Sequence, residues 1–205
     1  MKSDDEPLGT EPAKPERGLR IAITASTVAL IVSVVLNVAL AHKVRSLIYG
    51  QSVRTADYKL QVGTSVPPIA AKRSDGQQEL ISYQGAIEPT VLYIFTPPCP
   101  WCARNMDNLK TLLDKEGGHY RFIGLSLSEE GLAEYVAKND LNLPNYSGLS
   151  PETLKTYKLG RTPQTIVISP EGKVLQNWAG AYVGDQKSQV EAFFHVSLPG
   201  IRTDH

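Results

Sequence analysis

The segment from Thr90 to Glu116 constrains the fold more strongly than any other part of the sequence. Its first part, TVLYIFT at 90–96, is β-branched and aromatic without polar alternation, which is typical of a strand buried on both faces. The run CPWCARNMDNLKTLLDKE at 99–116 follows directly, and its apolar residues recur with helical spacing. Because such a strand needs a packed layer on each side of its sheet, the junction predicts an α/β layered domain.

Strand and helix patterns alternate on both sides of this junction. We predict strands at 67–73, 78–83, 120–128, 164–169 and 173–179, and helices at 129–140, 150–160 and 185–194. Asp75-Gly76 and Pro170-Glu171-Gly172 mark the turns of two hairpins. Hairpins beside a strand–helix–strand unit predict a mixed sheet flanked by helices.

An uncharged run, IAITASTVALIVSVVLNVALA, precedes the globular part. As a helix it would be about 31 Å long, close to the thickness of a bilayer core, so we predict a transmembrane anchor at 21–41. A signal peptide cleaved after Ala39-Leu40-Ala41 and a buried core helix are the alternatives. With the anchor, residues 1–20 are a disordered tail, 42–60 a juxtamembrane spacer and 61–205 the globular domain.

Charge and cysteine content exclude several classes of protein. Lys and Arg number 21 and Asp and Glu number 21, so the net charge gives no electrostatic argument for a nucleic-acid partner. The only two cysteines, Cys99 and Cys102, are too few for a disulfide scaffold. There is no second C-x-x-C or H-x-x-x-H pair for zinc, and Ala103 stands where covalent haem attachment needs histidine. A structural disulfide and a redox dithiol both remain open.

The position of the two cysteines favours the redox dithiol. If Cys99 is the N-cap of the helix, Pro100 occupies the first helical position, where a missing N–H costs nothing. Backbone N–H groups and the helix dipole then favour a thiolate at Cys99, while Cys102 lies one turn deeper. This asymmetry predicts an attacking Cys99 and a resolving Cys102 as catalytic residues. Trp101 either contacts a substrate protein or covers the helix end.

The segments TVLYIFTPPCPWCARNM and LKTYKLGRTPQTIVISPEGKVLQNWAGAY resemble the thioredoxin superfamily. Within it they are similar to the membrane-anchored TlpA/ResA-like thiol-disulfide oxidoreductases, over about Val62 to Phe194. The resemblance implies a thioredoxin-like fold with an N-terminal β-hairpin extension, preceded by one transmembrane helix. It also implies that Thr162-Pro163 forms a cis-proline loop that faces the cysteines and binds substrate, with Pro100 and Trp101 supporting the active site.

The same resemblance implies the setting of the reaction. The redox-active disulfide Cys99–Cys102 would serve without any other cofactor or metal, on protein substrates with disulfides or thiols. Four basic residues on each side of the predicted anchor leave its orientation undetermined. The family places the N-terminus in the cytoplasm and the catalytic domain outside it, in the periplasm. It favours a reductase, for example in cytochrome c maturation, served by a membrane electron donor or acceptor.

Three residues depart from the family pattern. Tyr93 stands where thioredoxins carry a buried acid, and Asn105 stands where ResA-type members carry a glutamate. Asp107 replaces a helix-kinking proline, so we expect a straighter helix. The family pattern therefore identifies no general base for Cys102, and Glu88, which precedes the strand, is the remaining candidate.

Two other protein classes remain as alternatives. A peroxiredoxin-type peroxidase using Cys99 is compatible with Thr96-Pro97-Pro98-Cys99, which fits T-x-x-C. A Sco-like copper-binding module would require cysteines four apart and a coordinating histidine, and His195 lies on a late helix.

Overall fold

The computed structural model describes residues 29–41, 43–44 and 59–201. The chain divides into two compact units, Met1–Ser52 and Val53–His205. In the first unit a helix, α1, covers residues 29–41, and residues 43–44 are also helical. The whole predicted tail, most of the predicted spacer, and residues 21–28 of the predicted anchor lie outside the described residues. Within the described ranges, no helix combines the length and the apolar character needed to span a bilayer.

The second unit contains a mixed sheet, as the sequence predicts. Its strands are β1 (Ile69–Arg73), β2 (Gln78–Ile81), β3 (Thr90–Phe95), β4 (Arg121–Ser126), β5 (Asn145–Ser147), β6 (Gln164–Ile168) and β7 (Val174–Ala179). They lie in the order β2-β1-β5-β4-β3-β6-β7. The central strands β3, β4 and β5 are parallel, whereas β6 and β7 are antiparallel to their neighbours. The predicted N-terminal hairpin is β1–β2.

Five helices accompany this sheet in the described part of the second unit. They are α2 (Pro100–Arg104), α3 (Met106–Glu116), α4 (Leu132–Lys138), α5 (Pro151–Thr156) and α6 (Gly184–Phe194). The single helix expected over 99–116 is divided into α2 and α3 at Asn105, although the backbone of this residue stays in the right-handed helical region with φ −85° and ψ −2°. The expectation that Asp107 makes this helix straighter stays a prediction. A strand that the sequence did not predict, β5, is only three residues long.

Strand β3 is buried on both faces, as predicted. Leu92 and Ile94 belong to one hydrophobic cluster, while Tyr93 and Phe95 belong to another that includes Cys102. Alternate side chains of a strand point to opposite faces of the sheet, so Tyr93 and Phe95 share the face that carries the cysteine helix. This alternation places a buried tyrosine in the same cluster as Cys102.

The sheet topology places three segments beside the C-terminal end of β3. The cysteines follow the C-terminal end of β3. Because β6 is antiparallel to β3, with Ile94 opposite Gln164, residues 162–163 lie beside the start of α2. Strand β7 ends at the same edge, since Gln164 pairs with Ala179, so the loop from Gly180 to Val183 lies there too. The candidate site is therefore assembled from three distant parts of the chain.

Candidate active site

Cys99 caps the helix that follows β3, as predicted. It is the N-cap of α2 in an extended conformation, with φ −76° and ψ 112°, and Pro100 opens the helix. Its sulfur accepts a hydrogen bond from the backbone N–H of Cys102 at 3.3 Å. Its own N–H donates to the carbonyl of Thr96 at 3.1 Å, which holds the turn between strand and helix. The Cys99 sulfur therefore occupies the place of a capping side-chain oxygen.

The two free thiols differ in burial, as predicted. Cys99 is half-buried, whereas Cys102 has no exposed surface. Burial raises the pKa of Cys102 to about 12, and its hydrogen bond with Cys99 adds to the effect. The Cys102 thiol is therefore held protonated behind the accessible sulfur of Cys99.

The proline loop lies against Cys99. The Thr162–Pro163 peptide bond is cis, in agreement with the sequence prediction. The Cys99 thiol donates to the carbonyl oxygen of Thr162, with 3.4 Å between sulfur and oxygen. The hydroxyls of Thr162 and Thr96 are 2.8 Å apart and hydrogen-bonded. The backbone of Thr162 therefore lies next to the sulfur that faces solvent.

A shallow apolar recess of about 280 Å³ adjoins this loop. It is lined by Trp101, Thr162, Ala179, Gly180, Ala181, Val183 and Gln186. The Trp101 ring is 48% exposed, and the guanidinium of Arg104 lies 5.3 Å from its centroid. Gln186 donates to the carbonyls of Gly180 and Ala181 at 2.9 and 3.0 Å, which fixes the loop before α6. Sequence reasoning missed this loop, because only the sheet register brings it near Trp101.

A larger cleft lies elsewhere in the second unit. It has a volume of about 940 Å³ and runs between the β1–β2 turn, α4 and β5. Its lining extends from Lys72 to Gly76 and includes Glu129 and Asn145, but neither cysteine. Neither cysteine lines the smaller recess either, but that recess includes Thr162, whose carbonyl contacts the Cys99 sulfur.

Cys102 lies in an uncharged cluster that combines apolar side chains, such as Phe95 and Met106, with a few buried polar groups. Tyr93 and Asn105 are almost fully buried, and Tyr135 is 7% exposed. The hydroxyls of both tyrosines and the amide nitrogen of Asn105 have no hydrogen-bond partner. Burial raises the pKa of Tyr93 and of Tyr135, and the nearby Cys102 adds to the effect on both.

Glu88 does not serve Cys102 as a general base, contrary to the candidate role considered from the sequence. It is exposed and precedes β3, whereas the cysteines follow this strand. The six residues of β3 separate the two ends by about 20 Å. Among the buried side chains of the described residues, none is an aspartate, glutamate, lysine, arginine or histidine.

Comparison with known proteins identifies one family profile, that of the AhpC/TSA family, which matches residues 62–177. This match covers more than half of the chain. No curated protein sequence was found to match.

Solved structures with the same fold are distant in sequence. The thioredoxin domain of a thiol-disulfide oxidoreductase from Bacteroides vulgatus is 21% identical, with a TM-score of 0.53, over 66% of this chain and 99% of that one. A candidate thiol:disulfide interchange protein DsbE from Chlorobium tepidum is 18% identical, with a TM-score of 0.57, over 67% and 98%. A secreted disulfide oxidoreductase from Mycobacterium tuberculosis, homologous to DsbE of E. coli, is 19% identical, with a TM-score of 0.51, over 62% and 93%. These similarities confirm the predicted thioredoxin-like fold.

Proposed function

The chain belongs to the AhpC/TSA family, and on that premise we propose that it is a thiol-disulfide oxidoreductase that exchanges disulfides with client proteins. One observation carries the proposal. The half-buried sulfur of Cys99 is hydrogen-bonded by the backbone N–H of Cys102, whose own thiol is buried one helical turn deeper. This arrangement separates an attacking thiol from a resolving thiol.

In the reducing direction, the thiolate of Cys99 attacks one sulfur of a client disulfide. The second client sulfur leaves with the electron pair of the broken bond and takes up the proton that Cys99 had lost. Cys102 then loses its proton, and its sulfur forms a bond with the Cys99 sulfur while the mixed disulfide breaks. The released client sulfur takes up this second proton, so one client disulfide is reduced for each dithiol oxidised.

The client segment lies along Thr162 and over the recess beside Trp101. The carbonyl of Thr162 is within 3.4 Å of the attacking sulfur, so a bound segment beside it places its disulfide at Cys99. The recess accepts an apolar client side chain, because mainly apolar groups line it. Pro100 and Trp101 support the site by starting the helix and bordering the recess.

The direction and setting of the reaction follow from the resemblance to the TlpA/ResA-like proteins. We propose a reductase with its domain in the periplasm, held by an anchor at 21–41 with a cytoplasmic N-terminus. A membrane electron donor would return the Cys99–Cys102 disulfide to the dithiol. Cytochrome c maturation is one process that uses such a reductase. The in-cell redox state of the two cysteines, measured by thiol trapping, tests this setting, and mostly oxidised cysteines would contradict a reductase.

Variants of the two cysteines test the proposed reaction. Cys99→Ser should abolish the reduction of insulin disulfides by the full-length protein, because the attacking sulfur is lost. Cys102→Ser should leave Cys99 able to attack but unable to release, so it should accumulate a mixed disulfide visible on a non-reducing gel. If Cys99→Ser retained full activity, the proposed function would be wrong.

Peroxidase activity of the peroxiredoxin type is the second candidate, favoured by the family match and by the T-x-x-C sequence at 96–99. In the structure the Thr96 hydroxyl bonds to Thr162, and the Arg104 guanidinium lies over the Trp101 ring. Each of these contacts gives the group a partner other than the Cys99 sulfur. Consumption of hydrogen peroxide by the reduced protein distinguishes the two functions.

A further inference from the structure

Two buried asparagines form a chain of hydrogen bonds behind the cysteine helix. The backbone N–H of Gly200 donates to Oδ1 of Asn108 at 2.8 Å, and Nδ2 of Asn108 donates to Oδ1 of Asn105 at 2.9 Å. The backbone N–H of Tyr182 also donates to Oδ1 of Asn105, at 3.0 Å. A backbone N–H can only donate, so these bonds fix the orientation of both side-chain amides.

The fixed orientation leaves the amide nitrogen of Asn105 as a donor without an acceptor. It has no surface contact with solvent, since Asn105 is 0% exposed. Buried donors are almost always satisfied, so this one requires an explanation. Its neighbour is Tyr93, whose hydroxyl is also buried and without a partner. Asn105 lowers the pKa of Tyr93 against the rise that burial causes, which is the direction expected of an amide donor that faces the tyrosine oxygen.

The titratable groups that act on Cys102 come from three elements. Cys99 is the N-cap of the helix that carries Cys102, Tyr93 lies on β3 and Tyr135 lies on α4. None of these groups is a carboxylate, and the buried side chains in the described part of the chain carry no charge. A thiolate formed at Cys102 would therefore depend on neutral hydrogen-bond donors for its stabilisation.

We propose that Asn105 and Tyr93 form a donor relay that stabilises the Cys102 thiolate in the resolving step. As the proton leaves Cys102, the Tyr93 hydroxyl turns to donate to the Cys102 sulfur and the Asn105 amide donates to the Tyr93 oxygen. Each bond polarises the next, so the tyrosine becomes a stronger donor. The proton ends on the released client sulfur, and neither residue of the relay gains or loses one overall. Both are positioning residues, and the relay rests on the proposed function.

Tyr135 is the rival donor, because its hydroxyl is also buried without a partner. It stacks on Phe95, with 5.2 Å between the ring centroids. The Asn105 amide is among the groups that shift the pKa of Tyr93, whereas no amide side chain is among those that shift the pKa of Tyr135. We therefore assign to Tyr93 the larger role in stabilising the Cys102 thiolate, and the experiment compares the two tyrosines directly.

The experiment follows the reaction of the full-length dithiol with Ellman's reagent by stopped-flow absorbance. The first thionitrobenzoate released reports attack by Cys99, and the second reports attack by Cys102 on the mixed disulfide. Tyr93→Phe should slow the second phase about tenfold near pH 7, because each unit by which the pKa of Cys102 rises removes tenfold of its thiolate. The pH profile of this phase should move upward by about one unit, while the first phase stays unchanged.

Asn105→Asp and two tyrosine variants complete the comparison. Asn105→Asp keeps the accepting oxygen but replaces the donor nitrogen by an oxygen, so it should also slow the second phase. If the aspartate instead accelerated it, a carboxylate base would be acting and the donor relay would be wrong. Tyr83→Phe is the matched control, since Tyr83 is equally buried but belongs to the cluster on the other face of β3. It should change neither phase.

The relay is overturned if Tyr93→Phe leaves the second phase unchanged or slows both phases equally. It is also overturned if Tyr135→Phe slows the second phase as much as Tyr93→Phe. Failure of the underlying function looks different, because the wild-type protein would then release a single thionitrobenzoate and would not reduce insulin.

Discussion

Replacing Cys102 by alanine should reduce the decrease in the free energy of unfolding that occurs as the pH becomes alkaline. The pKa of this thiol is raised from 9.0 to about 12, chiefly because it is buried. The unfolded chain therefore loses the proton at lower pH than the folded chain does. The resulting stabilisation is fully present below about pH 9 and is lost as the pH rises toward about 12.

The magnitude follows from the two pKa values. A separation of three units corresponds to about 4 kcal/mol when both states are fully ionised, at 1.36 kcal/mol per unit. Near pH 10.5 the Cys102 thiol is almost entirely ionised in the unfolded chain and almost entirely protonated in the folded chain. About 2 kcal/mol of the stabilisation present below pH 9 has then been lost. The alanine variant lacks this contribution, although the buried tyrosines still titrate in both proteins.

Urea unfolding of the full-length protein between pH 7 and pH 10.5, with a phosphine reductant in excess, measures the effect. The free energy of unfolding should fall by about 2 kcal/mol more for the wild type than for Cys102→Ala. Cys99→Ala is the control. Its free energy of unfolding should fall with pH nearly as steeply as that of the wild type, because the burial of Cys102 is unchanged. Equal slopes for the wild type and Cys102→Ala would refute the reasoning that burial holds this thiol protonated.

Two further substitutions test other parts of the structure. Trp101→Ala should lower kcat/KM for insulin about tenfold and leave the rate of reaction with Ellman's reagent unchanged. The reason is that the Trp101 ring borders the recess for a client side chain but is not bonded to either cysteine sulfur. Equal losses with both substrates would contradict a role in client binding. Arg121→Met should lower the free energy of unfolding by about 1.5–3 kcal/mol, since the guanidinium donates to the Thr90 hydroxyl and to the Ser82 carbonyl. Urea unfolding measures this loss, and an unchanged midpoint would show that these bonds contribute little.

The capped dithiol could be predicted because the features that build it are local. A proline after Cys99, an apolar strand before it and a helical stripe after it are all read within 30 residues. The cis bond at Thr162-Pro163 came from the family resemblance, because the local sequence alone does not select a cis isomer. Helix division at Asn105 was missed, since this residue is held by the Tyr182 backbone, 77 positions away. The short strand β5 was also missed, because three residues carry no periodicity.

The sequence by itself determined that this chain has a buried strand, a helix opening on a sulfur cap and two thiols of unequal depth, because each depends on neighbours within a few turns. Only the tertiary structure decided what surrounds those thiols. Sheet register brought the Thr162 carbonyl to the Cys99 sulfur, and a long-range hydrogen bond from the Tyr182 backbone fixed the orientation of the Asn105 amide. Burial and the order of strands control the environment of a thiol, and both are properties of the whole packed domain.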